Sequence, residues 1–211
     1  MNKYLLLFAT VASIVCILFL ITVNLLTSPH IIWFIHPAIA IILWPISLYS
    51  IQKNKNKLFS IIVSLILIVY LIIENYTNTP DYPWILYAAY PIIWWPILVS
   101  LGKYAKSFSV SICGSMCTIL YYSILNIFLS PQYPWAIYPA FAVLWWPLSI
   151  YYAKNKRYFE FSIVASTFIS IFFIIVNIVS TPFTTWAIYP IFGVIWWPLS
   201  MYFFSHKRRT F

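Results

Sequence analysis

Residues 126–149 read NIFLSPQYPWAIYPAFAVLWWPLS, and residues 177–200 read NIVSTPFTTWAIYPIFGVIWWPLS. The second stretch repeats the first at an interval of 51 residues without a gap. The same register runs back toward the N-terminus. Asn24, Asn75, Asn126 and Asn177 are each followed nine residues later by a Trp (Trp33, Trp84, Trp135, Trp186). A Trp-Pro pair then follows: Trp44-Pro45, Trp95-Pro96, Trp146-Pro147 and Trp197-Pro198. Self-similarity at a fixed period sets an architecture before any single motif is weighed. The chain reads as one domain, 1–211, made of repeats 7–57, 58–108, 109–159 and 160–211.

Composition says what surrounds each repeat. Hydrophobic residues are 64% of the chain and charged ones 7%, against about 25% charged in a soluble domain. Runs such as Leu5 to Val23, Ile61 to Ile73 and Phe161 to Val176 leave no face for water, so their solvent is lipid. A period of 51 residues accommodates two helices of about 20 residues and two short turns, which suits a hydrocarbon core about 30 Å thick. The expected fold is all-α: a polytopic membrane protein of eight transmembrane helices, built as four parallel two-helix repeats. The helices are expected near 4–26, 33–51, 58–77, 84–101, 107–129, 135–153, 159–180 and 186–204.

The connectors alternate in chemistry. Thr27-Ser28-Pro29-His30 and its three counterparts contain no Lys or Arg. The joins between repeats are basic: Lys53, Lys55 and Lys57; Lys103 and Lys106; Lys154, Lys156 and Arg157. Lys3 and the tail residues Lys207, Arg208 and Arg209 fall on that same side, so all twelve basic residues lie at one face of an even number of helices. The positive-inside rule then places both termini in the cytoplasm, beside an anionic leaflet. A formal charge of +9 does not indicate nucleic acid, because the bases are confined to short connectors and not interleaved with aromatics on one wet surface. Lys3 before an apolar run has the look of a signal peptide. Its place in the repeat, Val15 before Cys16 and the lack of a small-x-small cleavage site make it a retained span instead.

The repeated residues have physical jobs. Ser28-Pro29, Thr79-Pro80, Ser130-Pro131 and Thr181-Pro182 end the odd helices, since a pre-proline residue is driven out of the helical region. The Trp that follows reads as an interfacial anchor. Pro45, Pro96, Pro147 and Pro198 lie deep in the even helices and free the carbonyls of Ile41, Ile92, Val143 and Val194. In lipid those carbonyls require an internal donor. The indoles of Trp94-Trp95, Trp145-Trp146 and Trp196-Trp197 offer N–H groups at that depth, with Trp95, Trp146 and Trp197 as the mid-membrane set. The four asparagines read as an interhelical polar repeat, with a ring of amides at a pore mouth as the sharper alternative.

Departures from the pattern single out the second repeat. Only three acids occur, and two of them, Glu74 and Asp81, belong to it. Its first even-helix proline has moved to Pro91, leaving Ala88 in place, and Leu98 replaces the Ser of Ser47, Ser149 and Ser200. An ionisable group at membrane depth is costly and marks a functional candidate. Glu74 and Asp81 are therefore the ligand or ion candidates, while Glu160 beside Arg157 reads as a surface ion pair. Cys113 and Cys117 share a helix face without an accompanying His or acid, and neither a metal nor a cofactor is expected. His30, His36 and His206 sit at different levels, so no catalytic constellation is expected.

The order Asn24-Leu25-Leu26-Thr27 through Trp33-Phe34-Ile35-His36-Pro37 resembles the bacterial two-TM domain family, as four such hairpins in tandem. The resemblance implies a helical hairpin of the bacterial plasma membrane with nothing catalytic. This chain carries Trp-Trp-Pro-Leu-Ser, at 145–149 and 196–200, where that family tends to have Gly-Trp-Gly. Two functions fit these readings. The first is a non-enzymatic membrane scaffold, sensor or envelope-associated module, whose partners are the lipid bilayer and a membrane protein or further copies of the chain. The second is a transporter or channel for small cationic or aromatic compounds that uses Glu74.

Overall fold

The computed structural model describes residues 3–206. The tail bases Lys207, Arg208 and Arg209 lie outside the described residues, as do the side chains of Lys3 and His206. The chain divides into two compact units, Met1–Leu101 and Gly102–Phe211. The first holds α1 (Lys3–Thr27), α2 (Ile35–Gln52), α3 (Asn56–Asn78) and α4 (Ile85–Leu101). The second opens on a 3₁₀ turn, Gly102–Lys106. It continues with α5 (Phe108–Leu129), α6 (Ile137–Asn155), α7 (Tyr158–Ser180) and α8 (Ile188–Met201), and ends in a π turn, Tyr202–His206. Among the described residues there is no strand.

Six helical stretches are long and apolar enough to cross a membrane: α1, α2, α3, α4 together with the 3₁₀ turn that follows it (Ile85–Lys106), α5 and α7. The eight spans read from the sequence are thus met by length and composition at six positions. α6 has 19 residues, but Pro139, Trp145, Trp146, Pro147, Tyr151 and Tyr152 dilute its apolar character. The apolar stretch of α8 stops short, at Ile188–Phe204.

Consecutive helices pack as hairpins, α1 with α2 and α3 with α4 in one unit, α5 with α6 and α7 with α8 in the other. What lies in their seams inverts the habit of a soluble core. The fully buried side chains of greatest volume are Ser60, Ser111 and Ser162, with Ala9 at the matching place in α1. One turn on, Ser13, Ser64, Ser115 and Ser166 are buried too. Meanwhile Leu, Ile and Phe side chains along the odd helices point outward. Lipid tails are as apolar as Leu, so helices in a bilayer gain little by burying Leu and associate through small residues that let their backbones approach. Each odd helix presents such a small-xxx-small stripe to its partner.

Hydroxyls inside the apolar helices are satisfied locally. Ser60 donates to Lys57 O (2.9 Å), Ser111 to Phe108 O (2.7 Å) and Ser162 to Phe159 O (2.6 Å). Thr10, Thr22, Thr77, Thr118 and Thr167 each donate to the carbonyl four residues back, the usual recourse of a helical Thr without water. The basic joins turn through left-handed backbone at Asn54, Gly102 and Lys156, with φ of 53°, 54° and 53°.

Candidate functional site

At the end of each odd helix one asparagine organises the whole turn. Asn24 Nδ2 donates to Ser28 O (2.9 Å) and Ile31 O (2.8 Å), and its Oδ1 accepts from Phe34 N (3.1 Å). Asn75 makes the same three bonds to Thr79 O, Tyr82 O and Ile85 N at 2.8, 2.9 and 2.9 Å. Asn126 does so to Ser130 O, Tyr133 O and Ala136 N at 2.6, 2.8 and 3.1 Å, and Asn177 to Thr181 O, Thr184 O and Ala187 N at 2.9, 2.5 and 3.0 Å. All four are buried. An amide has two donor hydrogens and an acceptor oxygen, and here every one of those groups is directed at backbone that proline-broken turns leave unpaired. The amides thus act within their own hairpins, fixing the turn and the first backbone N–H of the next helix.

The carbonyls freed by the deep prolines have a donor that the sequence reading did not assign. Ser13 Oγ donates to Ile41 O (3.2 Å), Ser64 to Ile92 O (3.0 Å), Ser115 to Val143 O (3.1 Å) and Ser166 to Val194 O (3.3 Å). The expected indole donors are replaced by serine hydroxyls reaching across the seam from the odd helix. The physical reason is geometric. A free carbonyl points along the helix toward the missing N–H, and a short side chain on a closely packed neighbour reaches it, whereas the indoles are engaged with aromatic rings.

Those indoles pack on rings. Trp95 meets Phe59 edge-on at 5.9 Å and Trp197 meets Phe161 at 5.7 Å, as Trp44 meets Phe8 at 6.3 Å. Trp94, Trp145 and Trp196 meet the ring one turn back in their own helix, Tyr90, Phe141 and Phe192, also edge-on. Trp145 also reaches Phe168 of α7 at 5.5 Å. Trp146, with Val110 at the place of those phenylalanines, lacks that ring partner.

With the repeated polar groups assigned to structure, the departures stand out, and two of them, His36 and Glu74, converge on Tyr70. His36 Nδ1, on the first turn of α2, is hydrogen-bonded to Tyr70 Oη of α3, donor or acceptor according to its tautomer. Their rings meet at 6.0 Å. Glu74, one turn further along α3, lies within electrostatic reach of the same hydroxyl and accepts from Asn78 Nδ2 (2.7 Å). Glu74 and Tyr70 are half-buried, His36 exposed. Corresponding positions of the second unit hold Tyr138, Phe172 and Val176, where Tyr138 and Phe172 make a plain ring contact at 5.9 Å. The result is an acid, a phenol and an imidazole in series at the end of α3 opposite the basic connectors. It can hold a proton or a small cation against one net negative charge.

Asp81 is exposed in the turn after α3, and among the described residues no hydrogen bond or ion pair joins it to this chain of groups. Sequence reasoning found Glu74 but not Tyr70, which has no distinguishing signal: α1 and α7 carry Phe19 and Phe172 at its place, but α5 carries Tyr121. Glu160 forms the expected ion pair with Arg157 (Nε to Oε1 2.7 Å), and that bond holds the guanidinium above its ordinary pKa. No group of three or more metal-ligating side chains occurs among the described residues, where Cys16, Cys113 and Cys117 are free thiols. Comparison with protein-family models, curated proteins and solved structures gives no match to this chain.

Proposed function

We propose that this chain is a non-enzymatic, multi-pass module of the bacterial plasma membrane, an envelope sensor or scaffold of eight spans with both termini cytoplasmic. Its hairpins supply the scaffold, and the His36–Tyr70–Glu74 chain supplies the response, to protons or cations on the outer side. The observation that carries this reading is the convergence of two repeat-breaking residues, His36 and Glu74, on Tyr70 across the α2–α3 seam. The recurring asparagines and seam serines, by contrast, serve turn or helix backbone. The resemblance of each repeat to a two-helix bacterial domain without catalytic residues supports the same class.

Small inorganic cations added to the purified protein should raise its melting temperature saturably, since a ligand that binds only the folded state stabilises it. Glu74→Gln and His36→Tyr, the latter restoring the repeat residue, should both flatten that dependence. A Glu74→Gln protein with the wild-type cation response would falsify the responsive role. The second reading, transport of small cationic or aromatic compounds, draws on the carboxylate lying between aromatic rings. It predicts saturable stabilisation by an organic cation that Glu74→Gln abolishes.

A further inference from the structure

The deep proline of each even helix has a second consequence, seen at the basic end of the second unit. Pro147 interrupts α6 on the side facing α5 and α7, and there an open cleft of 530 Å³ runs between Phe108, Ile112, Leu144, Pro147, Tyr151 and Phe168. Its walls are almost wholly apolar. The second hairpin carries a counterpart at the same register, lined by Ile61, Ile93, Pro96 and Ile97. A groove of this kind beside lipid takes a hydrocarbon chain.

The mouth of the larger cleft adds selectivity. Tyr151 lies on its wall, and its carbonyl is held by Asn155 Nδ2 at 2.8 Å, which ties the wall to the connector that carries Lys154 and Arg157. Connectors at that end bring Lys103, Lys106, Lys154, Lys156 and Arg157 against a single acid, Glu160. Arg157 and Lys154 are exposed, so a phosphate at the headgroup level meets cations and a phenol while its chain lies against Pro147. We propose that this cleft is a binding site for one anionic phospholipid, its acyl chain between α5, α6 and α7 and its phosphate at Lys154, Arg157 and Tyr151. Basic pockets between helices are apt for anionic headgroups, and each cation near the surface strengthens the attraction. The proposal rests on the bilayer reading of the chain and is independent of the response assigned to Glu74.

The test is native mass spectrometry of the purified full chain with phosphatidylglycerol or phosphatidylcholine of identical acyl chains. Wild type should retain phosphatidylglycerol with a preference of roughly tenfold, the effect of one to two surface cations. Lys154→Gln combined with Arg157→Gln should bring the two lipids close to parity. Ile112→Trp, which fills the cleft, should lower retention of both, and Leu144→Phe serves the same purpose should the larger side chain disturb folding. Glu74→Gln should leave lipid retention at the wild-type level. Equal retention of the two lipids by wild type, or an undiminished preference in the double variant, would overturn the site. So would retention indifferent to both cleft-filling substitutions.

Discussion

The asparagines show how one side chain can replace a missing stretch of secondary structure. Each turn from Ser28, Thr79, Ser130 or Thr181 onward contains proline and runs through backbone whose carbonyls lack helical partners. Water satisfies such groups in a soluble protein, but at a buried position an unmet donor or acceptor costs about 1–3 kcal/mol. Asn126 meets three of them at once. Asparagine and aspartate have nearly the same shape, which makes the exchange diagnostic: aspartate keeps the acceptor for Ala136 N and loses both donors. Asn126→Asp is therefore expected to destabilise by about 2 kcal/mol or more, through two carbonyls left facing a carboxylate. Thermal unfolding in detergent, compared with Gln132→Asn in the same exposed turn, measures the effect. A loss within a few tenths of a kcal/mol would mean that the turn holds itself without the amide.

At the scale of elements, the hairpin seam depends on a proline in one helix and a serine in the other. Removing the Ser115 hydroxyl leaves Val143 O without its partner, at a cost of about 1 kcal/mol in the membrane. Replacing Pro147 by Ala restores the N–H that bonds this carbonyl along α6. Ser115→Ala should thus be costly beside Pro147 and close to neutral beside Ala at that position, giving a coupling of about 0.5–1.5 kcal/mol in a double-mutant cycle. Additive effects would show that the serine and the proline act separately. This pair also marks the limit of what the sequence discloses. The prolines and the carbonyls they free are legible, because the missing N–H is a property of the residue itself. The donors are not, since a Ser in an apolar helix reads as a neutral filler until the facing helix is known. Helix positions and the basic connectors are likewise legible from apolar length and charge. The meeting of His36 with Tyr70 depends on which turn of α3 faces α2, which periodicity does not tell. The asparagines are conspicuous by spacing, yet spacing alone does not separate a turn clamp from contacts between hairpins.

For the whole molecule, the proposed eight-span threading is most sharply tested at α6 and α8, the two helices that fall outside the six long apolar ones. At 1.5 Å per residue, the 19 residues of α6 extend about 28 Å, close to the hydrocarbon thickness of about 30 Å. Its low apolar character comes mainly from Trp, Tyr and Pro, residues that membranes accept at interfaces or in packed seams, and its one charge, Lys154, sits in the last turn. Between Ser107 and Ala153 the chain has no Asp, Glu, Lys or Arg. A helix so placed, tied to α5 by Asn126 at one end and by Ser115 at mid-length, has no means of lying at the surface without parting the seam. The proposed threading accordingly puts Gln132 outside and Asn155 inside. In a cysteine-free background, Gln132→Cys should react with an impermeant maleimide on intact cells, and Asn155→Cys only after permeabilisation. Labelling of Asn155→Cys from outside would mean that α6 does not cross, and that the one-sided placement of the basic connectors fails with it.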